Sequence, residues 1–450
     1  MTWVDRLARS MERVVPDAIT TSILLLVVMY VLALFVGADM QTAMEAYYRG
    51  LWSLLTFTMQ MTLILVLSLI LGATPAFRRA IAVMSRLPRT KVQVVVVAVL
   101  TGAVVAYLNW GLSIALSPVI ATLFAREAER KGIPVDFLFL LATLAGVGSI
   151  WQFGLSGSAP LLVATPGHFL EKTTGVMPLS TTIWAPAAVI LVATFTLAVI
   201  VLGVVLMPNK PRPISMFVKD DAYAEDVNAP PATAAAGADS GVGLAHFLEN
   251  TRLVMLPLAL MLVGWLYQHF FIRQLSLDIN SVNTIVLLAG VVLHGTVARY
   301  TDALKDAVAR AWPIIVLYHL YAGVAGLIQY TPVGEFLITL FTPILSPLSY
   351  TVLTASISTL VALFIPTSGG QWLIQGFVTV ETAELVGVTP QRGLLALSVG
   401  DHMGNLITPF WALVGASIAG IDFRSYFGYR LIFAGLWFVM GVVAFTFLPC

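Results

Sequence analysis

The sequence predicts an all-α, polytopic membrane protein with two inverted repeats, each containing a re-entrant hairpin and a broken transmembrane helix. Three observations carry that expectation. The 450 residues are 59% hydrophobic and only 10% charged, with a mean hydropathy of +0.92, whereas soluble domains carry about 25% charged residues. Hydrophobic segments are twice interrupted by a pair of polar kinks. The first pair is Asn109-Trp110-Gly111 and Leu155-Ser156-Gly157-Ser158-Ala159-Pro160; the second is Pro366-Thr367-Ser368-Gly369-Gly370-Gln371 and Gly400-Asp401-His402-Met403-Gly404-Asn405. Landmarks also recur at a near-constant offset: Thr74-Pro75 and Thr331-Pro332 lie 257 apart, Asn109 and Thr367 258, Gly132 and Gly387 255.

Taken in order, residues 1–17 carry Arg6, Arg9 and Arg13 on an amphipathic stretch with no small-residue cleavage site, so they are expected to form an interfacial helix. Residues 18–207 make the first repeat, with a hairpin at 92–125 and a broken span at 137–166. The stretch 208–245 is rich in Pro, Ala, Gly and Asp and is expected to be a flexible cytoplasmic linker. A connecting span at 246–272 leads into the second repeat, 273–450, with a hairpin at 350–385 and a broken span at 391–420. Only 34 residues separate Lys91 from Arg126, and two full spans need about 40 plus a turn, which favours a segment that dips in and returns. Two short spans would give the same charge pattern. With the N-terminus cytoplasmic, every Lys and Arg except Arg49, Lys172, Arg273 and Arg392 falls inside, the bias expected of cytoplasmic loops. Four spans per repeat and one connecting span then turn the second repeat upside down.

Polar breaks within the hydrocarbon layer survive only where they line a protein cavity, and matching breaks in two halves point to a substrate site at the repeat interface. Ser156 or Ser158, ahead of Pro160, looks like an N-cap; Asn109, Ser368 and Asn405 can cap the other three half-helices. Helix N-termini of this kind bind carboxylate or phosphate. The expected substrate-binding set is Asn109, Trp110, Gly111, Ser156, Gly157, Ser158, Thr367, Ser368, Gly369, Gly370, Gln371 and Asn405. The alternative is that these small residues only let helices pack closely. All 24 Lys and Arg residues can be placed at membrane edges or in loops, so a co-bound cation, H⁺ or Na⁺, is expected to accompany an anionic substrate. Asp401 is the one carboxylate placed well inside a span, and intramembrane ionisable groups are functional by default. It can carry the proton, or hold Na⁺ beside carbonyls near Asn109, Ser156, Ser368 and Asn405. His402 is a second candidate for coupling, although one residue along a helix it faces elsewhere. Trp110, Trp151, Phe153, Trp372, Phe410 and Trp411 either wall a pocket for a short acyl chain or pack between helices. His319 and Gln60 read more simply as structural hydrogen-bonding groups.

The net charge of +1 gives no reason to expect nucleic acid, and the single Cys450 excludes an internal disulfide framework and a Cys metal cluster. No protein metal site or cofactor is expected. Ser156-Gly157-Ser158 is not a nucleophile elbow, because Leu155 occupies the first glycine position. An intramembrane enzyme using Asp401 and His402 remains a remote alternative, a channel another, and an antiporter or exporter of a different small anion such as a dicarboxylate a third.

The chain resembles the short-chain fatty acid transporters of the AtoE type, in the wider ion-transporter superfamily. The resemblance rests on Asn109-Trp110-Gly111, on Phe153 through Leu162 with Ala164-Thr165-Pro166-Gly167, on Trp372-Leu373-Ile374-Gln375-Gly376, and on Pro409-Phe410-Trp411-Ala412-Leu413. It implies uptake of small monocarboxylates such as butyrate or acetoacetate across a bacterial inner membrane. It also implies a homodimer with a scaffold domain and a mobile, elevator-type transport domain. One departure is the tip Thr367-Ser368-Gly369-Gly370-Gln371, where the family tends to carry more glycine and a histidine at the position of Gln371.

Overall fold

The computed structural model describes residues 18–218 and 243–449. The interfacial helix expected over 1–17 and most of the linker lie outside the described residues. Helices account for all the regular structure among those that are described, with no strand. The first half runs α1 (Ala18–Phe35), α2 (Met40–Ser53), α3 (Leu55–Gly72), α4 (Pro75–Arg86), α5 (Lys91–Leu108), α6 (Trp110–Arg130), α7 (Phe137–Val147), α8 (Ser158–Ala164) and α9 (Pro186–Val205). The second runs α10 (Met255–Tyr267), α11 (Ile279–His294), α12 (Val297–Tyr330), α13 (Val333–Phe341), α14 (Tyr350–Ala362), α15 (Ser368–Leu385), α16 (Pro390–Ile407), α17 (Pro409–Ala419) and α18 (Arg424–Phe447). Among the described residues eight helices are long and apolar enough to cross a membrane.

Local chemistry explains where these helices stop, and it does so alike in both halves. The second hairpin arms α6 and α15 each end on a left-handed glycine, Gly132 (φ 68°) and Gly387 (φ 73°). Each ending is closed by the same bond pair: Ile133 N–H to the Ala128 carbonyl (2.8 Å) and Gly132 N–H to Glu129, then Val388 N–H to Ala383 (2.8 Å) and Gly387 N–H to Glu384. The next helix starts in each case from a side-chain cap, Asp136 accepting from the Phe139 N–H and Thr389 from the Arg392 N–H. The hydroxyls of Thr74 and Thr331 both turn back onto the helix they follow, bonding the carbonyls of Leu71 and Leu327.

Packing sorts the helices into two groups. α2, α3, α11 and α12 pack on one another, with α1 and α10 at their sides, while both hairpins, both broken helices, α9 and α18 pack together. The groups meet chiefly where the second hairpin arms lie on the long helices, α6 on α3 and α15 on α12. Within the first group α2 and α12 cross at backbone contact: a Cβ on Gly50 would fall 2.4 Å from the Ala322 carbonyl oxygen, and one on Gly326 2.3 Å from that of Ala46. In hydrocarbon, where helix association depends on dispersion and close approach, that crossing has no room for a side chain. Gln60 does act structurally, donating to Asn280 at 2.8 Å.

Three sequence expectations are corrected. The first hairpin extends past 125, its arms running from Lys91 to Arg130 with 18 and 21 residues. The second broken helix does not break at Gly400–Asn405: α16 runs through those residues and ends at Ile407, because Pro409 has no N–H to continue the ladder and disfavours helical backbone at Thr408. The linker assigned to 208–245 begins docked. Arg212 reaches the fully buried Asp136 at 2.9 Å, Ser215 donates to Glu129, and Phe217 packs against Phe137.

His168, in the loop after α8, is held as a neutral ring: Nε2 faces the Gly175 carbonyl at 3.0 Å and Nδ1 accepts from the Leu170 N–H at 3.3 Å. Burial pushes its pKa below the ordinary histidine value, outweighing the Gly175 bond and Glu171. Both folded and unfolded rings are neutral at high pH, and on acidification the unfolded ring takes the proton first. Stability in detergent is therefore expected to decline as pH falls below about 6.5, with His168→Gln flattening that limb in melting curves. Gly326→Val is expected to cost about 1–3 kcal/mol or more by overpacking. Gly264→Ala, whose added methyl would meet nothing within 4 Å, should leave the same melting temperature within error.

Candidate functional site

In the first half the two breaks satisfy each other. α5 ends at Leu108 and α6 begins at Trp110, with Asn109 extended between them (φ −160°) and 1% exposed. Asn109 Oδ1 caps α6, accepting from the N–H groups of Gly111 (2.8 Å) and Leu112 (3.1 Å) and from the Ser68 hydroxyl (2.7 Å). The N–H of Trp110, which has no intrahelical partner, donates instead to Ser156 Oγ at 2.8 Å. The carbonyl of Tyr107 at the end of α5 accepts the Leu155 N–H at 2.8 Å. Gly154 permits that approach, since a Cβ there would lie 2.4 Å from the same carbonyl oxygen. Ser156 thus caps the neighbouring hairpin rather than its own helix, whose N-cap is Gly157; this corrects the expected Ser156 or Ser158 cap.

The second half closes its breaks with side chains. Trp411 Nε1 donates to the Pro366 carbonyl (3.0 Å) and to Asn405 Oδ1 (3.1 Å). Asn405 therefore lies inside the last turns of α16 and is not a cap. Ser368 is the first residue of α15 and Thr367 its N-cap, with no side-chain capping bond. Gly369 and Gly370 leave room for Tyr318 and Tyr321 of α12, where added Cβ atoms would meet those rings within about 2.6 Å. Gln371, fully buried, braces the hairpin from within by donating to the Ser358 carbonyl and to Gln375.

A buried network joins the halves. Gln152, in the 3-10 turn Gly148–Phe153 between α7 and α8, donates to Asp401 Oδ2 and accepts from the Ser368 hydroxyl at 3.1 Å. Asn405 Nδ2 reaches Asp401 Oδ1 at 3.2 Å. Asp401 and Gln152 are both fully buried. Beside this network lies a cavity of about 660 Å³, bounded by Trp110, Trp151, Ser158, Pro366, Thr367, Ser368, His402, Asn405, Trp411 and Arg430 at its depth, and by Arg78 with the exposed Asp306 and Arg310 at its other end.

The sequence-predicted residues therefore divide. Trp110, Ser158, Thr367, Ser368, Asn405 and His402 line the cavity. Asn109, Gly111, Ser156, Gly157, Gly369, Gly370, Gln371 and Asp401 stand behind its wall, as caps, close backbone approaches or network members. Of the six aromatic residues, Trp110, Trp151 and Trp411 form wall, whereas Phe153 stacks on Trp437 and Trp372 is fully buried in the core; the Phe410 side chain lies outside the described residues. Two residues were missed. Gln152 carries a visible signal, a lone amide in the apolar run Phe137–Val163. Arg430 was assigned to a membrane edge with all the other basic residues. It stands nearly two turns inside α18, is 4% exposed, and bonds the Asn405 carbonyl at 3.3 Å.

These features define a multi-pass helical membrane protein whose discontinuous helices converge on an internal cavity. Comparison with known proteins places it further: the chain belongs to the short chain fatty acid transporter family, whose model matches residues 2–446. It is 28% identical to a provisionally named short-chain fatty acid transporter of Escherichia coli (strain K12), over 98% of this chain and all of that one. It is 27% identical to a protein of the same provisional name from Haemophilus influenzae (strain ATCC 51907 / DSM 11121 / KW20 / Rd), over 98% and 99%. Among solved structures, the YdaH transporter of Alcanivorax borkumensis, described as having an unusual topology, superposes with a TM-score of 0.56. At 15% identity over 96% of this chain and 97% of that one, it shows a shared fold.

The site geometry makes a direct prediction. Gln152→Leu removes the donor to Asp401 and the acceptor for Ser368, leaving a buried carboxylate short of a partner, at a cost of about 1–3 kcal/mol or more. A lower melting temperature is expected, with Gln152→Glu no rescue because it sets two carboxylates face to face. Unchanged melting and transport in Gln152→Leu would show that the bridge is dispensable.

Proposed function

We propose that the protein is a secondary active symporter that takes up short-chain monocarboxylates, such as butyrate or acetoacetate, coupled to H⁺ or Na⁺. The single observation that supports it most is the link from Asp401 through Gln152 to Ser368, which ties the one buried carboxylate of the network to a hairpin tip on the cavity wall. A carboxylate accepts from both amides. Adding a proton to it, or a cation beside it, forces one donor to turn away, so ion uptake at Asp401 is transmitted to Ser368. The cavity's apolar and aromatic lining suits a short acyl chain.

The two halves are inverted repeats in this proposal, consistent with their matched caps, left-handed glycines and hairpins. The two packing groups are a scaffold and a moving transport domain of elevator type, the homodimer forming through the scaffold. The N-terminus is cytoplasmic and the membrane the bacterial inner one. Since Arg78 and Arg310 then lie inside, the cavity opens toward the cytoplasm.

Purified protein in liposomes is expected to accumulate radiolabelled butyrate when an inward proton or Na⁺ gradient is imposed, and competition by acetate and acetoacetate should exceed that by succinate. Uptake indifferent to both gradients would overturn symport. Asp401→Asn should abolish gradient-driven accumulation; coupled uptake at the wild-type rate would remove Asp401 from the coupling path.

A further inference from the structure

Arg430 is the odd group in this site. Its side chain is buried on the cavity wall, yet among the described residues no carboxylate lies within ion-pair distance of it. Asp401 is not within ion-pair distance of it, and its oxygens accept from Gln152 and Asn405. The guanidinium bonds the Asn405 carbonyl weakly, Nη2 at 3.3 Å, and lies against Tyr426, whose ring is 5.8 Å away, while Nε has no hydrogen-bond partner within the protein. A buried cation without a counter-charge is costly, and guanidinium is the side chain whose planar fork matches a carboxylate.

Other polar atoms on the same wall are also unpaired. Trp110 Nε1 and both ring nitrogens of His402 lack partners, although each residue is only 7% exposed. His402 is fixed edge-on between Trp151 and Trp437, each 5.6 Å away, and Trp151 stands 6.1 Å from Trp110. The chamber wall thus offers both a cation without a counter-charge and a pair of indole rings.

We infer that Arg430 is the substrate-binding cation of this transporter: it holds the carboxylate head of the substrate, with the acyl tail against Trp110 and Trp151. The inference rests on the proposed monocarboxylate transport and names the group that selects for it. One guanidinium at the depth of the cavity matches one carboxylate, so a dicarboxylate would bring a second charge into an aromatic wall. A purely structural Arg430, tying α18 to the end of α16, would be indifferent to the charge of the ligand.

The test uses full-length protein in detergent and in liposomes, with butyrate and its neutral isostere butyramide as probes. Wild type is expected to be thermally stabilised by butyrate and not by butyramide. In Arg430→Gln that difference should vanish and the KM for butyrate rise at least tenfold, with Arg430→Lys intermediate. If butyramide stabilises wild type as well as butyrate does, or if folded Arg430→Gln keeps the wild-type KM and ligand discrimination, the assignment is overturned. If Arg430→Gln does not fold, Arg430→Lys decides: a KM unchanged from wild type overturns the assignment, and a rise of severalfold with unchanged melting of the ligand-free protein supports it. Wild type that neither binds nor transports any short-chain monocarboxylate removes the proposed function and this assignment together, whereas a competent wild type with an indifferent Arg430 removes only the latter.

Discussion

A helix interrupted inside a hydrocarbon layer releases backbone groups that lipid cannot satisfy, and the rest of this structure follows from how those groups find partners. In the first half the partner of one break is the other: Tyr107 and Trp110 at the hairpin tip are answered by Leu155 and Ser156 of the broken helix. Each break is admissible only because the second lies against it. The pairing fixes the hairpin tip at the depth of the broken helix and requires glycine at 154, where backbone meets backbone. An aqueous loop would need none of this, because water would bond the same groups.

The second half solves the same problem with longer side chains. Trp411 spans from α17 to the Pro366 carbonyl, and Arg430 crosses from α18 to that of Asn405, one of the last carbonyls of α16. Side chains reach these two carbonyls, where in the first half a backbone N–H answers Tyr107. The cavity lies beside these closures, and Trp411, Asn405 and Arg430 are part of its wall. Gln152 then joins the two solutions, reaching from the first-half turn to Asp401 and Ser368 of the second.

The sequence made the hairpins and the paired breaks legible because kinks of Gly, Ser, Thr and Asn have few explanations within apolar runs. It misplaced the second broken helix for an instructive reason. Gly400 to Asn405 is polar in its side chains, but a polar side chain on a helix leaves the backbone ladder intact; only Pro409 removes a donor. The roles of Gln152 and Arg430 were hidden because their partners are distant along the chain. Arg430 reads as an edge residue beside Arg424 until the helix start is known, and Gln152 reads as a single amide until Asp401, 249 positions away, is seen to face it. Glycines 369 and 370 looked like ligand-contacting positions, whereas they make room for Tyr318 and Tyr321.

The distribution of polar bonds between the two packing groups bears on how such a protein could move. Gln152, Asp401, Ser368, Asn405, Trp411 and Arg430 all belong to the group that carries the hairpins, so the network closes on itself and can travel as a unit. Ser68 to Asn109 is a polar bond that crosses between the groups, joining α3 to the first hairpin tip at 2.7 Å. Asn109 Oδ1 also keeps the N–H groups of Gly111 and Leu112 within its own group, so release of Ser68 leaves α6 capped. At the opposing tip Tyr318 of α12 lies against Gly369, where an added Cβ would fall 2.6 Å from its hydroxyl. In the elevator proposal, sliding therefore breaks polar bonds at the boundary between the groups, Ser68 to Asn109 and the Ile279 N–H to Thr165 Oγ1 (3.2 Å), together with packing at the second tip, while the Gln152–Asp401 network stays whole. A mechanism that instead rocked the two halves against each other would have to break Gln152 away from Asp401 and Ser368 in a fully buried setting, at a much higher cost.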